Sequence, residues 1–202
     1  MKLVLKTKDV GAADDDDDEE ERKVDTDVYR ENNHIYFYVE IDRSSIMKLN
    51  LLIREAEEYC VITSLKLKLD VIPIYLHIFS NGGCLYSALA CIDAIESCSV
   101  SIYSVIDGST ASAGTLISVV CEKRFIRPNA RMLIHQLSGG CWGKMQEIED
   151  DYKNVSESMS KITDIYVKHT KLPRGKLVSL LKHDLWLNSQ KAIEYGLVDE
   201  LF

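Results

Sequence analysis

Strand-like and helix-like segments take turns along this chain, and that alternation restricts its fold more than any other feature. Residues 34–41 (HIYFYVEI), 74–79 (IYLHIF) and 100–106 (VSIYSVI) are dense in aromatic and β-branched side chains, which suit a pleated, half-buried surface. Between the first two, Ile46, Leu49, Leu52, Ile53 and Ala56 recur at helical spacing, with Ser44 or Ser45 as the cap of a helix reaching about Tyr59. Cys84, Ala88, Cys91, Ile95 and Cys98 mark one side of a largely buried helix over 84–98. The third strand closes at Asp107-Gly108. A small-residue helix is expected over 111–120, short strands over 124–126 and 132–135, and a long polar-faced helix over about 144–169. A shorter helix follows over about 173–182, and a last one from about Ser189, capped by Asn188 and ended by Gly196. Such alternation predicts an α/β fold of parallel strands joined by right-handed crossovers, in one domain.

The net charge of −8 belongs to one place: residues 14–21 are eight consecutive acids. Removing them from the 32 Asp and Glu leaves 24, equal to the 24 Lys and Arg. Like charges repel and bury nothing, so 1–30 is expected to be a flexible acidic arm ahead of a folded 31–202. No basic cluster interleaves with aromatics, so no nucleic-acid partner is expected. No apolar run approaches the ~18 residues of a membrane span, and residues 1–10 lack the apolar stretch of a signal peptide. The six cysteines form no CxxC pair and no zinc-type group with histidine, so no metal is expected. Free buried thiols in a reducing cytoplasm are the expectation.

Four short pieces carry candidate chemistry. Gly108 to Gly114 (GSTASAG) follows a strand and opens a helix, which exposes the Ser112 hydroxyl near unbonded N–H groups of the first helical turn. Ser80-Asn81-Gly82-Gly83 closes another strand, and paired glycines can turn amides toward a ligand oxygen. Two such turns of a parallel sheet open on the same edge. In Leu133-Ile134-His135-Gln136 an apolar strand ends in the side chain best suited to proton transfer near neutral pH. Asp184 ends a helix beside Leu185-Trp186-Leu187, at the dipole end that disfavours an anion, and is expected to have a partner there. Each piece alone reads equally well as a helix cap, a tight turn, a core histidine or a surface acid. His34, His77, His169 and His183 are weaker candidates, lying away from the serine turn.

Together and in order, these pieces resemble the Clp protease proteolytic subunit (ClpP) family over 74–199. The resemblance covers the strand and glycine turn of 74–83, the nucleophile segment of 108–114 and Arg124-Phe125 through Met132-Leu133-Ile134-His135-Gln136. It ends in the stretch from Asp184 to Asp199, with Trp186 in a Phe place. The fold implied is a ClpP/crotonase-type α/β fold: repeated β-β-α units with a parallel sheet, plus a handle strand and long helix. The activity implied is a serine endopeptidase acting on unfolded proteins. Ser112 would be its nucleophile, His135 its base and Asp184 the third member, with the N–H groups of Gly83 and Ala113 as oxyanion hole. Gly82, Gln136, Gly139 and Gly140 would bind substrate, the last two in a handle (138–143) that joins stacked rings. The partners implied are seven-membered rings of this chain, possibly doubled, and an AAA+ unfoldase that uses the ATP, with no cofactor on this subunit.

The chain departs from the family at several points. Asn81 stands in place of a turn proline. Lys182-His183-Asp184 replaces Asp-Arg-Asp, although Glu147 keeps the place of the partner acid, so weakened ring stacking is expected. His77 replaces an aromatic in the pocket that receives the unfoldase loop, and the acidic arm replaces the axial loop, so altered docking is expected. Two other readings stay open. One is a non-catalytic structural ring subunit. The other is an acyl-CoA enzyme on the crotonase fold, which shares the paired turns but needs no Ser-His-Asp set.

Overall fold

A computed structural model describes residues 27–202; the acidic block of 14–21 lies outside the described residues. Two short strands, β1 (Val28–Glu31) and β2 (His34–Phe37), form an antiparallel hairpin. Its turn passes through Asn32 at φ 55°, a left-handed conformation that Asn tolerates better than most residues. Regular structure therefore starts at Val28, inside the segment expected to be arm. β2 ends at Phe37 rather than residue 41, because the chain then crosses to the neighbouring turn. There Ile41 bridges Gly83, its N–H donating to the Gly82 carbonyl (2.7 Å) and its carbonyl accepting from Cys84 N–H (2.7 Å).

Helix α1 (Arg43–Leu67) is capped by Asp42, not by Ser44 or Ser45. The Asp42 carboxylate accepts from Ser45 N–H, and the Ser45 hydroxyl closes a capping box on Asp42 N–H. The helix runs past Tyr59 because Cys60 and Ser64 continue its buried face. It stops at Lys68, at φ 55°. Strand β3 (Ile74–Ser80) lies parallel to β2 and to β4 (Ile102–Ala111), with α2 (Leu85–Ser97) between them in the chain. Then come α3 (Ala113–Val119), β5 (Lys123–Ile126), β6 (Arg131–Leu133), α4 (Met145–His169), α5 (Arg174–Leu180), β7 (Leu187–Asn188), α6 (Ser189–Tyr195) and β8 (Glu200–Leu201). The sheet order is β1-β2-β3-β4-β5-β8, with β6 on β4 and β7 on β6.

One sheet face, with Ile35, Phe37, Leu76, Ile78, Ile102 and Ile106, joins Leu49, Ile53, Ala88, Cys91 and Ile95 of the helices in a single buried cluster. The other face carries stacked and edge-on rings, among them Tyr29, Tyr36, Tyr75, His77 and Phe125. Cys84 is the exposed N-cap of α2 rather than part of its buried side. Cys141 is exposed too, so burial holds for Cys60, Cys91 and Cys121 only.

β4 does not close at Asp107-Gly108. It bulges there, with Gly108 at φ +62°, and continues to Ala111. Up to Ile106 it borders β5, and from Ser109 it borders β6. β6 ends two residues before His135. The handle strand is not seen in the single chain: residues 134–142 carry no regular secondary structure, and α4 starts at Met145. The long helix does form, as α4. No helix among the described residues is long and apolar enough to cross a membrane.

Candidate active site

Ser112 sits between β4 and α3 at φ 54°, ψ −125°, a backbone region that costs a non-glycine residue on the order of 1–3 kcal/mol. The surroundings hold it there. Its N–H donates to the Leu133 carbonyl (2.8 Å), and its carbonyl accepts from Thr115 N–H (3.0 Å) and the Thr115 hydroxyl (2.7 Å). Thr115 Oγ1 is bonded in turn to Tyr166 OH of α4 at 2.6 Å. Beneath Ser112 lies Gly82 at φ +95°; a Cβ there would come within 2.7 Å of Ser112 Cβ and 2.8 Å of the Ala111 carbonyl. At Gly83, φ +143°, a Cβ would run into the Ile41 carbonyl. Glycine is needed at both positions to bring the two turns together.

The N–H groups of Gly83 and Ala113 donate to no protein acceptor among the described residues. Both residues line a small cleft of about 70 Å³ with Ser112, His135, Gln136 and Ser138. His135 follows β6, and its neighbour Gln136 N–H donates to the Leu181 carbonyl (2.7 Å), which draws the end of α5 alongside. Three residues further, Asp184 Oδ1 lies 3.4 Å from His135 Nδ1. That is an ion-pair separation rather than a tight hydrogen bond. The Asp184 side chain is 76 % exposed and sits in an irregular stretch beyond α5, not at the helix end, because α5 stops at Leu180. No hydrogen bond joins Ser112 Oγ to His135.

The structure thus gathers Ser112, His135, Asp184, Gly83, Ala113 and Gln136. Gly82, expected to touch substrate, is instead buried behind Ser112. Gly139 and Gly140 line a separate groove of about 310 Å³ against Tyr152 and Val155 of α4. The Thr115–Tyr166 clamp was not foreseeable: its two residues are 51 apart in the chain, and neither stands in a recognisable motif. No group of three or more His, Cys, Asp or Glu side chains among the described residues could hold a metal ion.

The model of the Clp protease family matches residues 30–202. The chain belongs to the Clp protease family. It is 34 % identical over 131 residues to ATP-dependent Clp protease proteolytic subunit 2 of Pseudomonas aeruginosa, covering 64 % of this chain and 65 % of that one. It is 32 % identical over 130 residues to the ATP-dependent Clp protease proteolytic subunit of Deinococcus radiodurans, covering 63 % and 64 %. These matches span just under two thirds of the curated relatives' length. A solved structure of a ClpP1 mutant from Listeria monocytogenes superposes with TM-score 0.73 at 25 % identity, over 85 % of this chain and 91 % of that one. The Clp α/β fold is therefore that of this chain. Glu147, expected from the resemblance to hold the place of the partner acid, is engaged within its own helix: it accepts from Lys144 N–H (2.8 Å) and closes the start of α4.

Proposed function

We propose that this chain is the proteolytic subunit of a Clp-type, ATP-dependent protease, a cytoplasmic serine endopeptidase that cuts unfolded polypeptides. One observation carries the reading: a serine held in a strained turn beside two unengaged N–H groups, in a cleft shared with an Asp-paired histidine. Ser112 Oγ attacks the scissile carbonyl carbon as His135 takes the hydroxyl proton. The carbonyl oxygen becomes an oxyanion and accepts from Gly83 and Ala113 N–H, each such donor being worth about 10²-fold or more in rate. The C–N bond then breaks as His135 returns the proton to the leaving amine. Water, deprotonated by His135, cleaves the acyl-enzyme and restores Ser112. Asp184 holds His135 Nδ1–H and stabilises the imidazolium.

The 3.4 Å gap and the missing Ser112–His135 bond support a resting subunit that subunit contacts complete. Seven-membered rings, single or stacked, would supply those contacts through the handle segment, and a separate AAA+ unfoldase would spend the ATP.

The test is labelling by a fluorophosphonate probe, with Ser112→Ala and His135→Ala as comparisons. The wild-type chain is expected to be labelled at Ser112 and to cleave unfolded casein, and Ser112→Ala to do neither. A fully assembled wild-type ring that takes no label would overturn the peptidase reading in favour of a structural subunit. Turnover of an acyl-CoA with Ser112 unreactive would favour crotonase chemistry.

A further inference from the structure

On the sheet face turned away from the helices, one carboxylate gathers three donors. Asp107 Oδ2 accepts from Tyr38 OH at 2.7 Å and faces His77 Nδ1 at 2.8 Å, while Oδ1 accepts from Arg127 Nε at 2.9 Å. The partners come from the chain just past β2, from β3 and from the loop after β5. One side chain on β4 thus ties four successive stretches of the sheet. His77 extends the row, its Nε2 lying 3.0 Å from His34 Nδ1 on β2. The Tyr36 ring stacks on His77 at 4.5 Å, and Phe202 meets it edge-on at 5.9 Å. The His77 side chain is 4 % exposed and that of Asp107 16 %. Burial works to raise the Asp107 carboxyl, but the hydrogen bonds from His77, Tyr38 and Arg127 outweigh it and bring the group down to about 2. The residue is an anion, which fixes His77 Nδ1 as an N–H donor.

Asp107 also stands where the site's elements diverge. β3 and β4 run in register to Ile78↔Ile106 and resume at Ser80↔Thr110. Phe79 alone therefore spans Asp107, Gly108 and Ser109, its ring packed over Gly108, where an added Cβ would lie 3.4 Å from Cε2. Beyond this bulge β3 delivers Gly82 and Gly83, β4 delivers Ser112, and β6, newly paired with β4, leads to His135. A half-buried anion with donors from separate strands is fully satisfied in one arrangement of those strands.

We propose that Asp107 is a positioning residue for the Ser112 turn. Held by His77, Tyr38 and Arg127, it fixes the β4 bulge so that Ser112 lies against Leu133 and beside Gly83, and it sets the hydroxyl's reactivity without touching substrate. The kinetic half of this inference rests on Ser112 being the nucleophile; the structural half, from bulge to Ser112, does not.

Asp107→Asn keeps the shape but turns an NH₂ toward a donor. Tyr103→Ala, on the same strand and face but outside the network, is the control; Tyr103 packs edge-on to Tyr75 and Phe125. Three quantities are measured on the full chain: the second-order rate of fluorophosphonate labelling at Ser112, hydrogen exchange of the amides of 109–112, and Tm. Asp107→Asn is expected to slow labelling about tenfold or more and to speed exchange at Ser112 N–H. Tyr103→Ala, at a comparable loss of Tm, should label within about twofold of wild type. His77→Gln, whose amide still donates to Asp107, should keep the reactivity that His77→Leu loses. Wild-type labelling and exchange in Asp107→Asn would overturn the inference, as would losses that track Tm equally in all the variants. If the wild-type Ser112 takes no label at all, the peptidase reading fails by itself, and exchange at Ser112 still decides the structural half.

Discussion

Charge on single side chains sets how this protein answers acid. Asp107 has a folded-state pKa of about 2 against an ordinary 3.8, so protonating it costs the folded state more than the unfolded one. Its stabilisation is fully present above pH ~4 and disappears as pH falls from there toward 2. At 1.36 kcal/mol per unit, nearly two units give about 2 kcal/mol. Urea melts should therefore separate wild type from Asp107→Asn by a constant margin between pH 5 and 7, closing as pH drops toward 2. A margin that ignores acid would show that the carboxylate is not held as an anion by its donors. Elsewhere burial pushes the Cys121 thiol up to about 12, and hydrogen bonds with Ser87 draw the exposed Cys84 thiol down. Among the cysteines, Cys84 is thus the more reactive of these two.

Element boundaries follow the capping and pairing partners that each segment finds. Asp42 supplies the side-chain acceptor at the start of α1, and its replacement by Ala is expected to lower the denaturation midpoint measurably. A midpoint unchanged in chemical denaturation would show that Ser45 or water caps the helix equally well. The order of β2 to β6 and of the helices, the long α4 and the caps at Asn188 and Gly196 were legible because periodicity and turn chemistry are local, whereas the short β1, β7 and β8 and the antiparallel pairs β1–β2 and β6–β7 were not. Two strand misreadings share a cause, which is that a partner distant in sequence decides them. β4 continues past Gly108 because β6 offers a new edge, a fact no window around Gly108 contains. β6 stops before His135 because Gln136 N–H goes to Leu181 instead of a strand. Ser112, His135 and Asp184 could be picked out from their motifs, yet the wide His135–Asp184 separation and the Asp107 network depend on side-chain placement.

For the whole molecule, the exposed apolar surface argues for association. Trp142 is 97 % exposed, with Met145 and Tyr152 of α4 both at 72 %, and Leu65, Leu67, Leu69 and Val71 are open at and just beyond the C-terminal end of α1. Patches of this kind mark contact surfaces. For the ring proposed above, Glu147 capping its own helix and Lys182-His183 in place of the acid–base pair expected from the resemblance predict mainly single rings. With a subunit of 22.9 kDa, sedimentation velocity should show a main species near ~160 kDa, the mass of a heptamer. A species of twice that mass would show that stacking survives without the pair, and a lasting monomer would remove the ring.

Every residue of α3, from Ala113 to Val119, is buried, whereas the Asp184 carboxylate stands largely in water. In the proposed mechanism the attacking hydroxyl is thus mounted on a buried helix, whereas the carboxylate that pairs with the imidazole stands exposed in the irregular stretch beyond α5. On and off states of such a catalyst would differ on the proton-accepting side alone. A strongly electrophilic inhibitor, which needs little help from a base, should then capture both states, while a sluggish one reports only the aligned fraction.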